Sequence, residues 1–264
     1  MMPFYIRWNV NPEIFTVGDW GPRWYGLLFA MGFVFGYYIM LKIFKKEGIK
    51  QEVLDSLTMY IFIGTLIGAR LGHCLFYDPS YYLANPLKIL MIWQGGLASH
   101  GAAIGILIAL YLFVRKQKKQ FVWIMDRVMI VIPLALFFIR MGNLMNSEIY
   151  GHVTNLPWAF IFEQNGETQP KHPTQLYEGL SYFLISAILY GLYVKTDILE
   201  RKGMIFGISF ILLFSARFLI EFVKENQVSF EANMSLNMGQ LLSIPFVLIG
   251  VGYVVYSMKN VPVK

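Results

Sequence analysis

Residues 140–151 read RMGNLMNSEIYG and follow directly on the apolar run MIVIPLALFFI. A guanidinium, two carboxamides and a carboxylate thus stand where an apolar segment ends. A charge at the edge of hydrocarbon is costly unless something pairs with it. Other polar side chains lie in or beside apolar runs: Tyr25, Arg70, His100, Gln175, Glu178, Arg217, Glu221 and Gln240. Arginine stays charged and offers a planar fork of donors that suits phosphate or carboxylate. Histidine titrates near neutrality and can carry a proton there. The set suits recognition of an anion.

The elements that must position these residues are membrane helices. The chain of 264 residues is 56% hydrophobic and 14% charged, against about 25% charged in ordinary soluble domains. Its mean hydropathy is +0.53. This composition fits a polytopic membrane protein and not a soluble enzyme. The net charge of +6 is carried in short clusters between apolar runs, which reads as a topology signal and not as a nucleic-acid surface. The single cysteine, Cys74, excludes an intrachain disulfide and any multi-cysteine metal site. Residues 1–20 lack the basic start and short apolar core of a signal peptide, so no cleaved leader is expected.

Seven segments reach the roughly 20 apolar residues that a spanning helix needs: 24–41, 53–76, 97–114, 121–139, 174–194, 204–222 and 239–257. The expected fold is all-α, one transmembrane domain over residues 1–264, with an external loop or cap at about 141–173. The stretches after the first, third, fifth and seventh segments hold 13 basic residues, down to Lys259 and Lys264, whereas the opposite side holds five: Arg7, Arg23, Lys88, Lys171 and Lys224. The positive-inside rule then places the N-terminus outside and the C-terminus in the cytoplasm. Arg127 falls within two turns of a cytoplasmic end and is expected to snorkel. Gly64, Gly68 and Gly72, Gly32 and Gly36, and Gly101 and Gly105 recur at every fourth residue, a spacing that lets helices pack closely in lipid.

On this topology the polar residues named above fall at one depth, the external leaflet. Singly, each has a structural explanation. Tyr25 beside Trp24 suits an interfacial belt, Arg217 and Glu221 suit an i,i+4 ion pair, and His100 suits a hydrogen-bonded helix start. Together, three arginines against few acids leave room for an anionic partner, and the phosphate of an outer-leaflet lipid has the right depth and charge.

The motifs resemble a family. RMGNLMNSEIYG is similar to the signature of the bacterial prolipoprotein diacylglyceryl transferases, in which Arg-x-Gly-Asn-x-x-Asn-x-Glu-x-x-Gly follows the fourth helix. Further blocks recur in order: WYGL at 24–27, GAR at 68–70, GGLASHGAAIG at 95–105, HPTQLYE at 172–178, ARFLIEF at 216–222 and MGQLLSIP at 238–245. Ala102, Leu144 and Thr174 depart from the usual glycine, phenylalanine and serine, and none removes a charged or nucleophilic group.

The resemblance implies transfer of the diacylglyceryl group of phosphatidylglycerol to the thiol of a lipobox cysteine in a secreted precursor. A thioether forms and glycerol phosphate leaves, the first step of lipoprotein maturation at the bacterial inner membrane. It implies Tyr25, His100, Arg140, Asn143, Gly151 and Arg217 as functional residues. The reaction needs charge stabilisation on the departing phosphate and a thiolate nucleophile. Arg140 and Arg217 are expected to serve the first need, with Arg70 as a possible helper and Glu221 beside Arg217. His100 is expected to take the thiol proton, with Tyr25 orienting or relaying as the alternative. Asn143, Asn146 and Glu148 are expected to bind the glycerol headgroup, and Gly151 to permit close backbone approach. No cofactor or metal is expected, since no Asp/Glu/His cluster has ligand spacing. The competing class is a transporter for an organic anion, which should show broken helices near the midplane and related halves; the chain shows no internal repeat.

Overall fold

The computed structural model describes residues 5–16, 21–92, 95–226, 231 and 234–260; Lys264, counted above among the inner basic residues, lies outside this range. Among the described residues eight α-helices follow one another: α1 Trp24–Lys46, α2 Gln51–Phe76, α3 Pro79–Ala84, α4 Ser99–Lys116, α5 Phe121–Met145, α6 Thr174–Lys195, α7 Met204–Ile220 and α8 Met238–Lys259. All but α3 belong to the seven described segments that are long and apolar enough to cross a membrane. Basic residues fill the last turns of α1, α4, α6 and α8, where they complement the negative end of the helix dipole. Pro133 and Pro245 sit inside α5 and α8, as membrane helices tolerate. Helix α5 outruns its expected end at 139, so Arg140 lies a turn inside it and Asn143 belongs to its last turn instead of the loop beyond.

The chain divides into two compact units, residues 1–39 with 125–264, and residues 40–124. In the first, α7 meets α8 at Gly207 and Gly250, where an added Cβ on Gly207 would stand 2.7 Å from the Gly250 carbonyl oxygen. The buried carboxylate of Asp126 accepts hydrogen bonds from the Gly203 N–H at 2.6 Å and the Phe206 N–H at 2.9 Å, so a side chain from α5 caps the start of α7. Its neighbour Arg127 is itself buried, at 7% exposure, and is attracted to Asp126. The Arg127 side chain, expected to snorkel, is instead enclosed by the protein.

Two short strands add to the helices in this unit. β1 (Ile6–Trp8) pairs in parallel with β2 (Phe160–Phe162), with Ile6 opposite Phe160 and Trp8 opposite Phe162. Leu144, Phe160 and Phe162 form a small buried cluster on which Trp8, Tyr150 and Leu176 pack. Residues 146–173 thus fold against the ends of α5 and α6 on a small apolar cluster.

In the second unit, α2 packs on α4 glycine against glycine. An added Cβ on Gly72 would lie 2.6 Å from the Gly101 Cα, and one on Gly64 would meet the Ala109 side chain at 2.6 Å. The backbones have closed to a distance that only glycine permits. Cys74 is fully buried within α2.

Candidate functional site

In the first unit the helix ends carry a connected charge network. Glu178, one turn into α6, is fully buried, and its Oε2 lies 2.8 Å from Arg140 Nε. Arg140 also donates from Nη1 to Asn143 Oδ1 at 3.2 Å, one turn along α5. Lys224, 4% exposed, bridges Glu178 at 3.4 Å and Glu221 at 3.1 Å. Glu221 accepts in turn from Asn237 Nδ2 at 3.1 Å. Asn237 begins α8 with a capping box closed by Gln240, so the start of that helix is held beside the same carboxylate. The Glu221 side chain rests against Gly239, where a Cβ would stand 2.5 Å from its Oε1.

Arg217 is the loosest cation of the set. Its Nε stands 3.8 Å from Glu221 Oε1, and 36% of its side chain is exposed. That distance is not a hydrogen bond, and the buried Nε finds no other acceptor. Three cations, Arg140, Lys224 and Arg217, thus face two buried carboxylates, Glu178 and Glu221.

The residues that follow α5 are fixed from α6. Ser147 and Ile149 both take positive φ, at 53° and 63°, a genuine outlier for β-branched isoleucine. Thr174 Oγ1 donates to the Ile149 carbonyl at 2.9 Å, Gln175 Nε2 to the Glu148 carbonyl at 2.7 Å, and Asn165 Nδ2 to the Ser147 carbonyl at 2.6 Å. This strained turn sets the Glu148 carboxylate 2.8 Å from Asn143 Nδ2 and 3.3 Å from Asn146 Nδ2. Asn146 Oδ1 and Gln175 Oε1 are buried with no bonded partner. Such atoms call for an explanation in a native fold.

Tyr25 lies on Gly142, whose added Cβ would meet the ring at 2.7 Å, and its hydroxyl is in the field of Glu148 and Arg140. The glycine of RMGN therefore seats this ring. Gly151 serves the protein in a similar way. Its N–H donates to the His172 carbonyl at 2.9 Å, it bridges Lys224 in an antiparallel pair, and a Cβ there would strike His172 and Thr174 at 2.8 Å. The close approach expected at Gly151 is thus one of protein backbone to protein backbone.

Around this network the cap adds its own charges. Lys171 bonds Glu167 and Glu225 at 2.7 Å each and lies over the Tyr150 ring at 4.7 Å. The Lys171 hydrogen bond holds the Glu167 carboxyl below its usual range. Burial opposes the charge on Lys171, but its two carboxylate partners outweigh that and raise its pKa. Burial and then the nearby His152 lower His172.

The first unit thereby brings together Tyr25, Arg140, Asn143, Asn146, Glu148, Gly151, Arg217 and Glu221. Arg70 and His100 belong to the second unit. Arg70 is 3% exposed and spends its fork on backbone: Nε donates to Ile89 O at 2.8 Å, Nη1 to Gly95 O at 2.6 Å and Gly96 O at 3.3 Å, and Nη2 to Lys88 O. Tyr82 covers the guanidinium at 5.0 Å. Gly95 and Gly96 have φ of 84° and 72°, which lets the loop pass His73 and Arg70 at close range. The Ala98 N–H then donates to Ala69 O at 2.9 Å. His100 follows in the first turn of α4, exposed.

Lys224 is the functional candidate that sequence reasoning missed. It was counted as an external topology charge, and its only signal was the i,i+3 spacing from Glu221. Asn237 was missed as well, although Asn-x-x-Gln at 237–240 is a recognisable helix start.

A family model described as prolipoprotein diacylglyceryl transferase matches residues 12–256. Curated relatives with the name phosphatidylglycerol–prolipoprotein diacylglyceryl transferase align over nearly the whole chain. The protein from Tolumonas auensis is 48% identical over 97% of this chain and 98% of its own length. That from Chloroherpeton thalassium is 45% identical over 97% and 96%, and that from Bacteroides fragilis 44% identical over 98% of each.

Proposed function

Because this chain belongs to the prolipoprotein diacylglyceryl transferase family, we propose that it moves the diacylglyceryl group of phosphatidylglycerol to the thiol of a lipobox cysteine in a prolipoprotein. The thiolate sulfur attacks the glyceryl carbon that bears the phosphate, a C–S bond forms, and the C–O bond breaks. The electron pair leaves with glycerol phosphate, and the thiol proton goes to a base. The protein is a multi-pass membrane transferase of the bacterial inner membrane, with its N-terminus and the cap at 141–173 outside and its reaction at the outer leaflet. The excess of basic residues on the opposite set of loops supports this orientation.

The observation that carries the reading is the arginine left with a free donor in the helix-end network. Two buried carboxylates hold three cations, and Arg217 keeps Nε without an acceptor. The unbonded donor of Arg217, beside the Arg140 fork, suits the phosphate of a phosphodiester, and fixed cations in a water-poor site stabilise the second charge that develops as the ester breaks. Arg140 and Arg217 hold the phosphate. Glu178, Lys224 and Glu221 keep these arginines in place. Asn143, Asn146 and Glu148 bind the glycerol hydroxyls, and Tyr25 orients the headgroup from its seat on Gly142. His100 accepts the thiol proton. Arg70, its fork engaged by carbonyls, positions the loop that leads into α4.

The test uses purified protein in phosphatidylglycerol vesicles with a lipobox peptide. The peptide should gain the mass of one diacylglyceryl group, and a peptide with serine for cysteine should gain none. No mass gain by the cysteine peptide, with the protein folded, overturns the reading.

A further inference from the structure

An apolar groove of about 540 Å³ runs along the α2/α4 seam of the second unit. Its α2 lining extends from Ser56 to Phe76, a rise of about 30 Å at 1.5 Å per residue. That is the full thickness of the hydrocarbon core. The walls include Ile63 and Ile67 of α2 and Ile108 and Leu112 of α4, each 46–55% exposed.

The two mouths of the groove differ in charge. On α4 the lining recurs at Gly101, Ile104, Ile108 and Leu112, and the same helical face continues three and four residues on to Arg115 and Lys116. Both are exposed. The Lys116 ammonium lies 5.9 Å over the ring of Tyr60, itself a wall of the groove. On α2 the face runs back from Ser56 to Glu52, so the groove faces carry two cations and one carboxylate at this mouth. Lys50 precedes α2 and Lys118 follows α4, both exposed. Asp55 is engaged within the protein, and Lys119 is turned to the ring of Trp123 at 5.5 Å. Toward the Phe76 mouth, the one basic residue of α2, Arg70, spends its guanidinium on backbone carbonyls. The α4 helix brings no lysine or arginine there.

We propose that the inner half of this groove holds an acyl chain of an anionic phospholipid from the cytoplasmic leaflet, with the phosphate at Arg115 and Lys116. The site shares no residue with those assigned to the reaction, and the inference uses the proposed orientation but not the transfer chemistry. Depth selects the leaflet. One lipid chain covers half of the hydrocarbon, about 15 Å, so a headgroup at the basic mouth lays its chain on Tyr60, Ile63, Ile108 and Leu112. Charge selects the headgroup, because basic pockets between helices on the cytoplasmic side bind anionic lipids. Inner loops are basic as a topology signal, but here two of the cations prolong the face that lines an apolar groove. A zwitterionic lipid would bring a cation of its own to the same mouth and gain less.

Photo-labelling in bilayers tests the site. The probe is phosphatidylserine with a diazirine on one chain, and phosphatidylcholine with the same chain is the reference. Mapped by mass spectrometry, phosphatidylserine should label Ile63, Ile108 or Leu112 severalfold more than the reference does. R115Q with K116Q should bring the two lipids level, at a cost of about fivefold in lipid affinity per charge, and E52Q should raise the phosphatidylserine label. The melting temperature of each variant, read beside the labelling, confirms that it is folded. Equal labelling by both lipids, a label unmoved in R115Q/K116Q, or a label confined to 71–76 overturns the assignment. Diacylglyceryl transfer is read separately, so its absence would sink the transferase reading and leave the labelling result standing.

Discussion

Arg70 and Arg140 occupy nearly the same place in their helices, six residues before Phe76 and five before Met145, yet the two regions use the guanidinium differently. At the end of α2 the partners are backbone carbonyls, which bring dipoles and no charge, and Nε, Nη1 and Nη2 are all engaged. At the ends of α5, α6 and α7 the partners are two carboxylates set among three cations, and one arginine keeps an unbonded donor. A fork closed by carbonyls fixes a loop. A fork held by shared carboxylates is fixed in place while a positive charge stays available. The difference separates an arginine that shapes a loop from one that we propose meets the phosphate.

The largest effect is expected at His100, the exposed residue beyond the loop that Arg70 fixes. H100Q should lose about 10²–10⁴-fold in transfer rate at neutral pH, the usual cost of removing a general base. It should regain part of that rate at higher pH, where the peptide thiol ionises unaided. Rate loss with no recovery up to the thiol's own pKa would remove His100 from the proton path and favour Tyr25.

The shared-carboxylate arrangement breaks at Lys224. K224M leaves Glu178 and Glu221 with a buried charge poorly compensated, and loss of one partner from a buried pair costs about 3–5 kcal/mol. The melting temperature in detergent should fall by several degrees, and K224M/E221Q should recover part of the loss. A K224M protein as stable as the parent would show that the network does not depend on its central cation.

Most of this contrast was legible at the level of residue types and illegible at the level of partners. The seven apolar helices and the concentration of Arg140, Arg217, Glu178 and Glu221 at helix ends follow from the lengths of the apolar runs and the placement of charge. The task of Arg70 does not, because carbonyls leave no mark in a sequence and its acceptors at 88–96 lie up to 26 residues away. Lys224 resembled any loop lysine. The β1–β2 pair was missed because it joins two three-residue strands from distant parts of the chain. Asp126 read as an ordinary polar residue because the helix it caps begins 78 positions later.

A smaller effect sharpens the comparison at the cap. The folded state lowers the pKa of His172 below its usual 6.5, so the neutral form is the one that fits. Its contribution is present above pH 6.5 and fades as the pH falls through the lowered value. Glu167, also lowered, fades only at more acidic pH, and Lys171, raised, only as the pH rises through its own value above 10.5. Amide exchange in 150–172, corrected for intrinsic rates, should therefore speed up between pH 7 and 5, and H172Q should remove most of that change. A pH response unaltered in H172Q would assign it to another group.

The central claim is that Arg217 meets the phosphate and Arg70 does not. The direct measurement is the initial rate of diacylglyceryl transfer by R217K and R70K in the same phosphatidylglycerol vesicles, per folded molecule and beside each melting temperature. R217K should keep its melting temperature and lose about 10²–10³-fold in rate, the cost of one transition-state charge partner. R70K should melt earlier, because lysine cannot serve four carbonyls, and should keep its rate within severalfold. The reverse pattern, a stable but inactive R70K and a near-normal R217K, would contradict the account and move the phosphate to α2.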